Sequence, residues 1–171
     1  MKKWIFFGCF LFLGYLGAEI ALNNLIVYDK AICLDSLEKA TTEELWDVFL
    51  KGQAELNFTT EFHWVSNEEW WQKAESVLDI GCGNGAYLNK VAKQFPEKRF
   101  LGIEKLPLSV KQAKQRYARN GVTFEEGDAE VLHESLASAA DVILFRLVLQ
   151  HLKKPLLALQ NCWHYLSPKG Y

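Results

Sequence analysis

Val77-Leu78-Asp79-Ile80-Gly81-Cys82-Gly83-Asn84-Gly85 decides how the rest of the chain is read. A short apolar run suited to a buried strand ends in three glycines at alternate positions. Ala86 to Phe95 then has helical spacing, with Leu88, Val91, Ala92 and Phe95 on one face and Pro96 beyond. Glycine lets such a turn bend sharply and lets a ligand approach the backbone without meeting a Cβ. The helix start behind the turn presents free N–H groups. Asp79 is the odd residue, because a carboxylate inside a buried strand is costly unless something pairs with it.

The same alternation continues downstream. Phe100-Leu101-Gly102-Ile103 reads as a second strand, and Pro107 to Arg119 as a second helix with Asn120-Gly121 after its end. Val122-Thr123-Phe124 is a third strand and Ala129 to Ala137 a short helix. Val142-Ile143-Leu144-Phe145 is a fourth strand, Leu152 to Leu166 a fourth helix, and Ser167-Pro168-Lys169-Gly170 a turn. Four strand–helix alternations predict an α/β fold: a Rossmann-like, doubly wound parallel sheet with right-handed crossovers and helices on both faces. Ligands in such sheets bind at the carboxyl ends of the strands.

Residues 19–75 read as a helical, aromatic-rich extension. Thr41-Thr42-Glu43-Glu44 has the form of a capping box, and the helix it opens is expected to end at Gly52. Asn67-Glu68-Glu69-Trp70-Trp71 looks like a second helix start with Asn67 as its cap. Phe58, Phe62, Trp64, Trp70 and Trp71 either form a lid over a substrate pocket or pack against the next domain. Ahead of this, Met1-Lys2-Lys3 and the fifteen apolar or small residues from Trp4 to Ala18 have the shape of a signal peptide or anchor. The run is short for a membrane span, which takes roughly 20 residues, and a buried or interfacial helix is the other reading. The organisation expected is therefore 1–18 signal or anchor, 19–75 extension, and 76–171 ligand-binding domain.

Composition bounds the class. The chain has 171 residues, 50% hydrophobic and 23% charged, with a net charge of −2, which excludes disorder. Residues 1–70 hold 5 basic and 11 acidic side chains, and residues 71–171 hold 14 and 10. This imbalance is too small to imply a polyanionic partner, so no nucleic acid is expected. Cys9, Cys33, Cys82 and Cys162 form no Cys-x-x-Cys pair and no zinc-type spacing, so free thiols and no metal are expected.

The loops after the strands carry the candidate chemistry. With Ala86, the glycine turn fits the dinucleotide pattern G-x-G-x-x-G/A. Glu104 lies 23 residues after Gly81, where a carboxylate can accept both hydroxyls of an adenosine ribose. Both features suit a nicotinamide cofactor or another adenosyl ligand. Two further residues separate the readings. Asp79 would repel a pyrophosphate but would hold a cationic amine, and Asp128 can accept the exocyclic amine of adenine.

In these motifs the chain resembles the class I S-adenosylmethionine-dependent methyltransferases. The resemblance rests on the glycine motif at residues 77–85, on Glu104 in Gly102-Ile103-Glu104, on Asp128, and on Asp141-Val142-Ile143-Leu144-Phe145-Arg146 leading into Leu149-Gln150-His151-Leu152. Leu166-Ser167-Pro168-Lys169-Gly170 resembles the turn before the family's fifth strand. The resemblance covers residues 76–171 and implies S-adenosyl-L-methionine as cofactor. It implies that Asp79 and the turn at Gly81, Cys82 and Gly83 hold the methionine end, and Glu104 the ribose. Leu106 would pack on the adenine, Asp128 and the Ala129 N–H would read its edge, and the Phe145 backbone would close over the amine. Transfer needs alignment and exclusion of water, and a base only where the acceptor must lose a proton. His151 and Arg146 are the candidates for catalytic or acceptor-binding roles.

The activity expected is methyl transfer to a small-molecule acceptor. A nicotinamide-dependent oxidoreductase and a non-catalytic cofactor-binding remnant are the alternatives. The family's sheet has seven strands and only the first four are legible here. A truncated chain is therefore expected, with a fourth-strand edge open to a complementing chain or a second copy. Location is pulled two ways: the cofactor points to the cytoplasm, and residues 4–18 point to membrane contact or export.

Overall fold

The computed structural model describes residues 40–137 and 139–170. The expected signal or anchor at 1–18, Cys9 and Cys33 lie outside them. The described elements are helices α1 (Thr42–Ser66) and α2 (Glu69–Lys73), strand β1 (Ser76–Ile80), α3 (Ala86–Gln94), β2 (Arg99–Glu104), α4 (Pro107–Tyr117), β3 (Val122–Glu126), β4 (Val142–Leu144) and α5 (Pro155–Tyr165). No helix among the described residues is long and apolar enough to cross a membrane.

The four strands form one parallel sheet in the order β3-β2-β1-β4. The chain therefore winds outward one way from β1 to β3, then crosses back to place β4 on the other side of β1. β1 is buried along its whole length, as a strand covered on both faces must be. The register aligns Val142, Val77, Phe100 and Val122 across the sheet. With Leu88, Val91, Ala113, Phe62 and Trp71 these residues make the core beneath α1, α3 and α4. The alternate residues Leu78, Ile80 and Ile103 point the other way, where Ala158, Cys162 and Tyr165 of α5 cover them. The doubly wound sheet expected from the sequence is thus present, with helices on both faces.

Three expected elements differ. The helix expected to stop at Gly52 runs 25 residues to Ser66. An interior glycine costs about 1 kcal/mol relative to alanine, and the burial of Asp47, Ala54 and Phe62 on the helix's inner side outweighs it. The capping box at its start is present, with Glu44 N–H donating to the Thr41 hydroxyl and Thr41 N–H to the Glu44 carboxylate. Asn67 caps the end of α1 rather than the start of α2. The helix expected over Ala129–Ala137 is a single 3₁₀ turn at Glu134–Leu136. There the Asp128 carboxylate accepts the Glu130 N–H and the Tyr165 hydroxyl accepts the His133 N–H, and both bonds compete with a helical ladder.

The aromatic residues of the front segment divide. Trp71 is fully buried, edge-on to Phe62 and Phe95, and Phe58 stacks on Phe62, so this group is packing against the sheet. Trp64 is 71% exposed. Lys98 fastens the group: its buried ammonium donates to the carbonyls of Trp71 at 3.0 Å and Ala74 at 2.5 Å, where α2 ends. Truncation of Trp71 to alanine removes the centre of this cluster. It should lower stability by about 3–5 kcal/mol, seen as a lower urea midpoint with the denaturant slope unchanged.

Candidate active site

The glycine turn closes β1 against its neighbour. The N–H groups of Gly81 and Cys82 both donate to the Ile103 carbonyl at the end of β2, at 2.8 and 3.1 Å. Gly81 and Gly83 have φ of +74° and +56°, a region that side-chain-bearing residues rarely occupy. Space excludes a side chain as well. A Cβ on Gly81 would overlap Val148, and one on Gly83 would lie 2.8 Å from Leu50 Cδ1 of α1. The turn is therefore enclosed by the segment after β4 on one side and by α1 on the other.

Helix α1 is also fastened to the turn by polar groups. The Asn84 amide donates to the Asp47 carbonyl at 3.1 Å and its carboxylate at 2.8 Å, while the Asn84 side-chain oxygen accepts the Ala86 N–H. Asp47 also takes Arg116 of α4 at 2.5 Å and Lys51 at 2.9 Å. Burial pushes the Asp47 carboxyl up, but these three donors outweigh it and hold the group below its ordinary range.

Asp79 lies on the same face as Val77, toward α1 and α3. It is 2% exposed, and its Oδ1 has no hydrogen-bond partner. Burial pushes its carboxyl up to about 7, against the nearby charge of Arg146, with Glu104 adding to the rise. An orphan carboxylate oxygen in a nine-tenths buried place is what a cationic donor from a ligand would satisfy.

The remaining expected residues stand around it. Glu104 ends β2, and its two oxygens take the Gly83 N–H at 3.0 Å and the Leu106 N–H at 2.9 Å, leaving lone pairs for further donors. Leu106 is half exposed at the start of α4. Asp128 is paired with Lys105 at 2.6 Å, which with the Glu130 N–H holds its carboxyl below the ordinary range. The Ala129 carbonyl accepts from Asn161 of α5. Phe145 is buried beneath the sheet with Ile80 and Ala158. The Cys82 side chain turns into the core: a Cβ on Gly102 would lie 2.7 Å from its Sγ. Its thiol is pushed up by burial first, then by the charges of Asp79 and Glu104, so only the Cys82 backbone faces the turn's open side. His151 is exposed in a 3₁₀ turn beside Gln150, away from this cluster.

Arg146 leaves β4 on the Asp79 side. Its guanidinium binds Glu61 of α1 at 2.6 and 3.4 Å and lies 4.4 Å from the centre of the Tyr87 ring. The next residue, Leu147, has φ of +56°, strained for a branched side chain. Asp47, Glu61 and Tyr87 thus join the site although no sequence pattern marks them. Asn84 carried a signal, as a polar residue wedged between two glycines of the turn.

A family model described as a methyltransferase domain matches residues 72–171. A tRNA U34 carboxymethyltransferase of Helicobacter pylori is 32% identical over 158 aligned residues, covering 85% of this chain and 59% of that protein. A ubiquinone biosynthesis O-methyltransferase of Pseudomonas fluorescens is 26% identical over 108 residues, covering 63% of this chain and 46% of that one. The chain thus spans about half to three-fifths of these relatives' lengths. An O-methyltransferase family protein from Burkholderia thailandensis shares the fold, with a TM-score of 0.62 at 18% identity over 91% of this chain and 50% of that one. The tRNA-directed relative runs against the expectation that nucleic acid plays no part.

The Asp79 carboxyl makes the free protein's stability depend on pH. In the fold it keeps its proton to about pH 7, whereas the unfolded chain loses it near pH 4. Between those limits the folded state binds the extra proton. Asp79 therefore makes stability fall as pH rises, with a plateau above about pH 7. Asp79→Asn should flatten this part of the profile in urea midpoints taken between about pH 5 and pH 8. An unchanged slope would mean that Asp79 is already ionised in the fold at the acid end.

Proposed function

The chain belongs to the class I S-adenosylmethionine-dependent methyltransferase family, and we propose that it binds that cofactor at the carboxyl ends of β1 and β2 and transfers a group from it to a uridine of tRNA. The observation that carries the cofactor site is the unpartnered Oδ1 of Asp79 beside the closed glycine turn. It fits the amine of the methionine end, and the free lone pairs of Glu104 fit the ribose hydroxyls. When bound, the cofactor supplies an electrophilic sulfonium, so the protein has no nucleophile of its own to activate.

The chain's own residues then have positioning roles. Asp79 orients the amine, and the turn backbone at Gly81, Cys82 and Gly83 sets the depth of the methionine end. Leu106 covers the adenine, and Asp128 with the Ala129 N–H reads its edge once Lys105 yields. The Phe145 backbone closes the pocket from β4. Leu50 and Val148 seal the turn on either side against water, which keeps the sulfonium from hydrolysis. Should the acceptor have to lose a proton, His151 is the base in this reading only if the bound acceptor reaches out to it from the cofactor site.

The tRNA acceptor is supported by the Helicobacter pylori relative. Its match takes in 85% of this chain, and a stretch of that extent must include α1, the helix that covers the turn. A small-molecule acceptor is the second reading, favoured by the Pseudomonas fluorescens quinone-pathway relative, whose match is shorter.

The full chain should bind S-adenosylhomocysteine and not NAD in a thermal melt. At 100 times the dissociation constant the ligand adds about 2.7 kcal/mol. Because Asp79 must be anionic to hold an amine, binding should tighten as pH rises toward about 7 and release a proton below it. Asp79→Asn should weaken binding roughly tenfold or more and remove this pH dependence. A shift with NAD alone would overturn the cofactor assignment. For the acceptor, the chain is incubated with S-adenosylmethionine and bulk tRNA, and the nucleosides are analysed by mass spectrometry. A mass gain confined to uridine supports the RNA reading, and modification of added phenolic acceptors with tRNA untouched supports the second.

A further inference from the structure

The Arg146–Glu61 pair asks for an explanation that the cofactor reading does not supply. Arg146 is held on three sides: by the strand exit below it, by the Tyr87 ring 4.4 Å from its guanidinium, and by the Glu61 carboxylate at 2.6 and 3.4 Å. The two side chains are 17% and 24% exposed, so the pair is largely withdrawn from water. Tyr87 is mostly buried, and the charge of the same carboxylate acts on its hydroxyl. A guanidinium fork that rests on an aromatic ring and grips a carboxylate with two nitrogens makes a carboxylate-binding pocket. Its present occupant comes from α1, which lies outside the sheet, whereas Arg146 follows the end of β4 and Tyr87 opens α3.

A second observation lies in the same pocket. Asp79 is buried on the same face, feels the Arg146 charge, and keeps one oxygen without a partner. Among the described residues nothing satisfies both needs. A ligand that carries an ammonium and a carboxylate on one carbon would do so, with the ammonium on Asp79 and the carboxylate on Arg146.

We infer that Arg146 and Tyr87 form a carboxylate subsite which Glu61 fills from within the chain, and that a ligand carboxylate takes Glu61's place. This rests on the cofactor assignment above and deepens it. The ligand carboxylate has two sources: the amino-acid end of the cofactor, or a carboxylate on the transferred group or the acceptor. Displacement frees Glu61, so α1 then remains on the turn through Leu50 and the Asp47–Asn84 contact. Glu61 is a competitor for the subsite, and Arg146 is a binding residue for it.

The test uses the full chain and calorimetric titration with three ligands. S-adenosylhomocysteine has both amine and carboxylate, its decarboxylated analogue keeps only the amine, and 5′-methylthioadenosine has neither. Arg146→Met should weaken S-adenosylhomocysteine about tenfold or more and leave the other two within about twofold. Glu61→Gln should tighten S-adenosylhomocysteine about threefold or more, because an internal competitor is gone, and leave methylthioadenosine unchanged. That pattern assigns the subsite to the cofactor's own carboxylate. A second arm adds acetate to the S-adenosylhomocysteine complex and follows the melting temperature. If Arg146→Met spares S-adenosylhomocysteine but abolishes a wild-type acetate shift, the subsite serves the second source. Where Arg146→Met does not fold, Arg146→Lys keeps the charge, loses the fork and should show the same split at smaller size. Equal weakening of all three ligands, or weaker S-adenosylhomocysteine binding in Glu61→Gln, would make the pair a structural tie and overturn the subsite. If no adenosyl ligand binds the wild type, the cofactor assignment falls, and the subsite with it.

Discussion

One buried aspartate sets the terms for the rest of this molecule. Asp79 sits on the central strand, paired on both sides to β2 and β4 and covered on both faces. An unsatisfied buried polar group costs about 1–3 kcal/mol, a sizeable part of the about 5–15 kcal/mol by which domains are stable. It survives because β1 cannot move: its register is fixed by Gly102 on one side and Leu144 on the other. The sheet therefore holds an aspartate in a place where the free chain gains nothing from it. A cation brought to the free Oδ1 would recover what the fold gives up.

The second constraint is that the turn after Asp79 is not finished by the sheet alone. Gly83 needs Leu50, and Asn84 needs Asp47, and both partners come from α1. The described part of the acidic front segment, from residue 40 on, is thus tied to the sheet domain by its charges. Two of its carboxylates, Asp47 and Glu61, are taken up by Arg116 and Arg146 of the basic half. The charge asymmetry between the two halves is in part an internal pairing, which is why it gives poor information about external partners.

This also explains what was legible in the sequence and what was not. Strands β1 to β4 were readable because each is a short apolar run between helical periods, and local spacing fixes such elements. Asp79, Gly81, Glu104 and Asp128 could be picked out because each stands near or just after the end of a strand, a placement that does not depend on the helices. The length of α1 was not, since Gly52 is a local stop signal that only tertiary burial overrides. Glu61, Asp47 and Tyr87 were invisible for the same reason: their roles depend on how a helix far away in sequence lies across the sheet. At Cys82 the motif does not tell backbone from side chain: the absence of a side chain at Gly102 draws the sulfur into the core and leaves the turn to the backbone.

Leu147 shows how closely the two sides of the site are coupled. A branched residue at positive φ persists only where its neighbours dictate the backbone path. Here they do. Arg146 must leave β4 toward Tyr87 and Glu61, while Val148, two residues on, must fill the space that a Cβ on Gly81 would occupy. An extended backbone at Leu147 would keep Arg146 and Val148 on the same side of the strand. The left-handed residue between them turns the chain so that one side chain reaches toward α1 while the other closes the turn. The strain at Leu147 and the positive φ of Gly81 are thus two halves of one arrangement, in which β4 supplies both a wall for the turn and a charge for the pocket beside it.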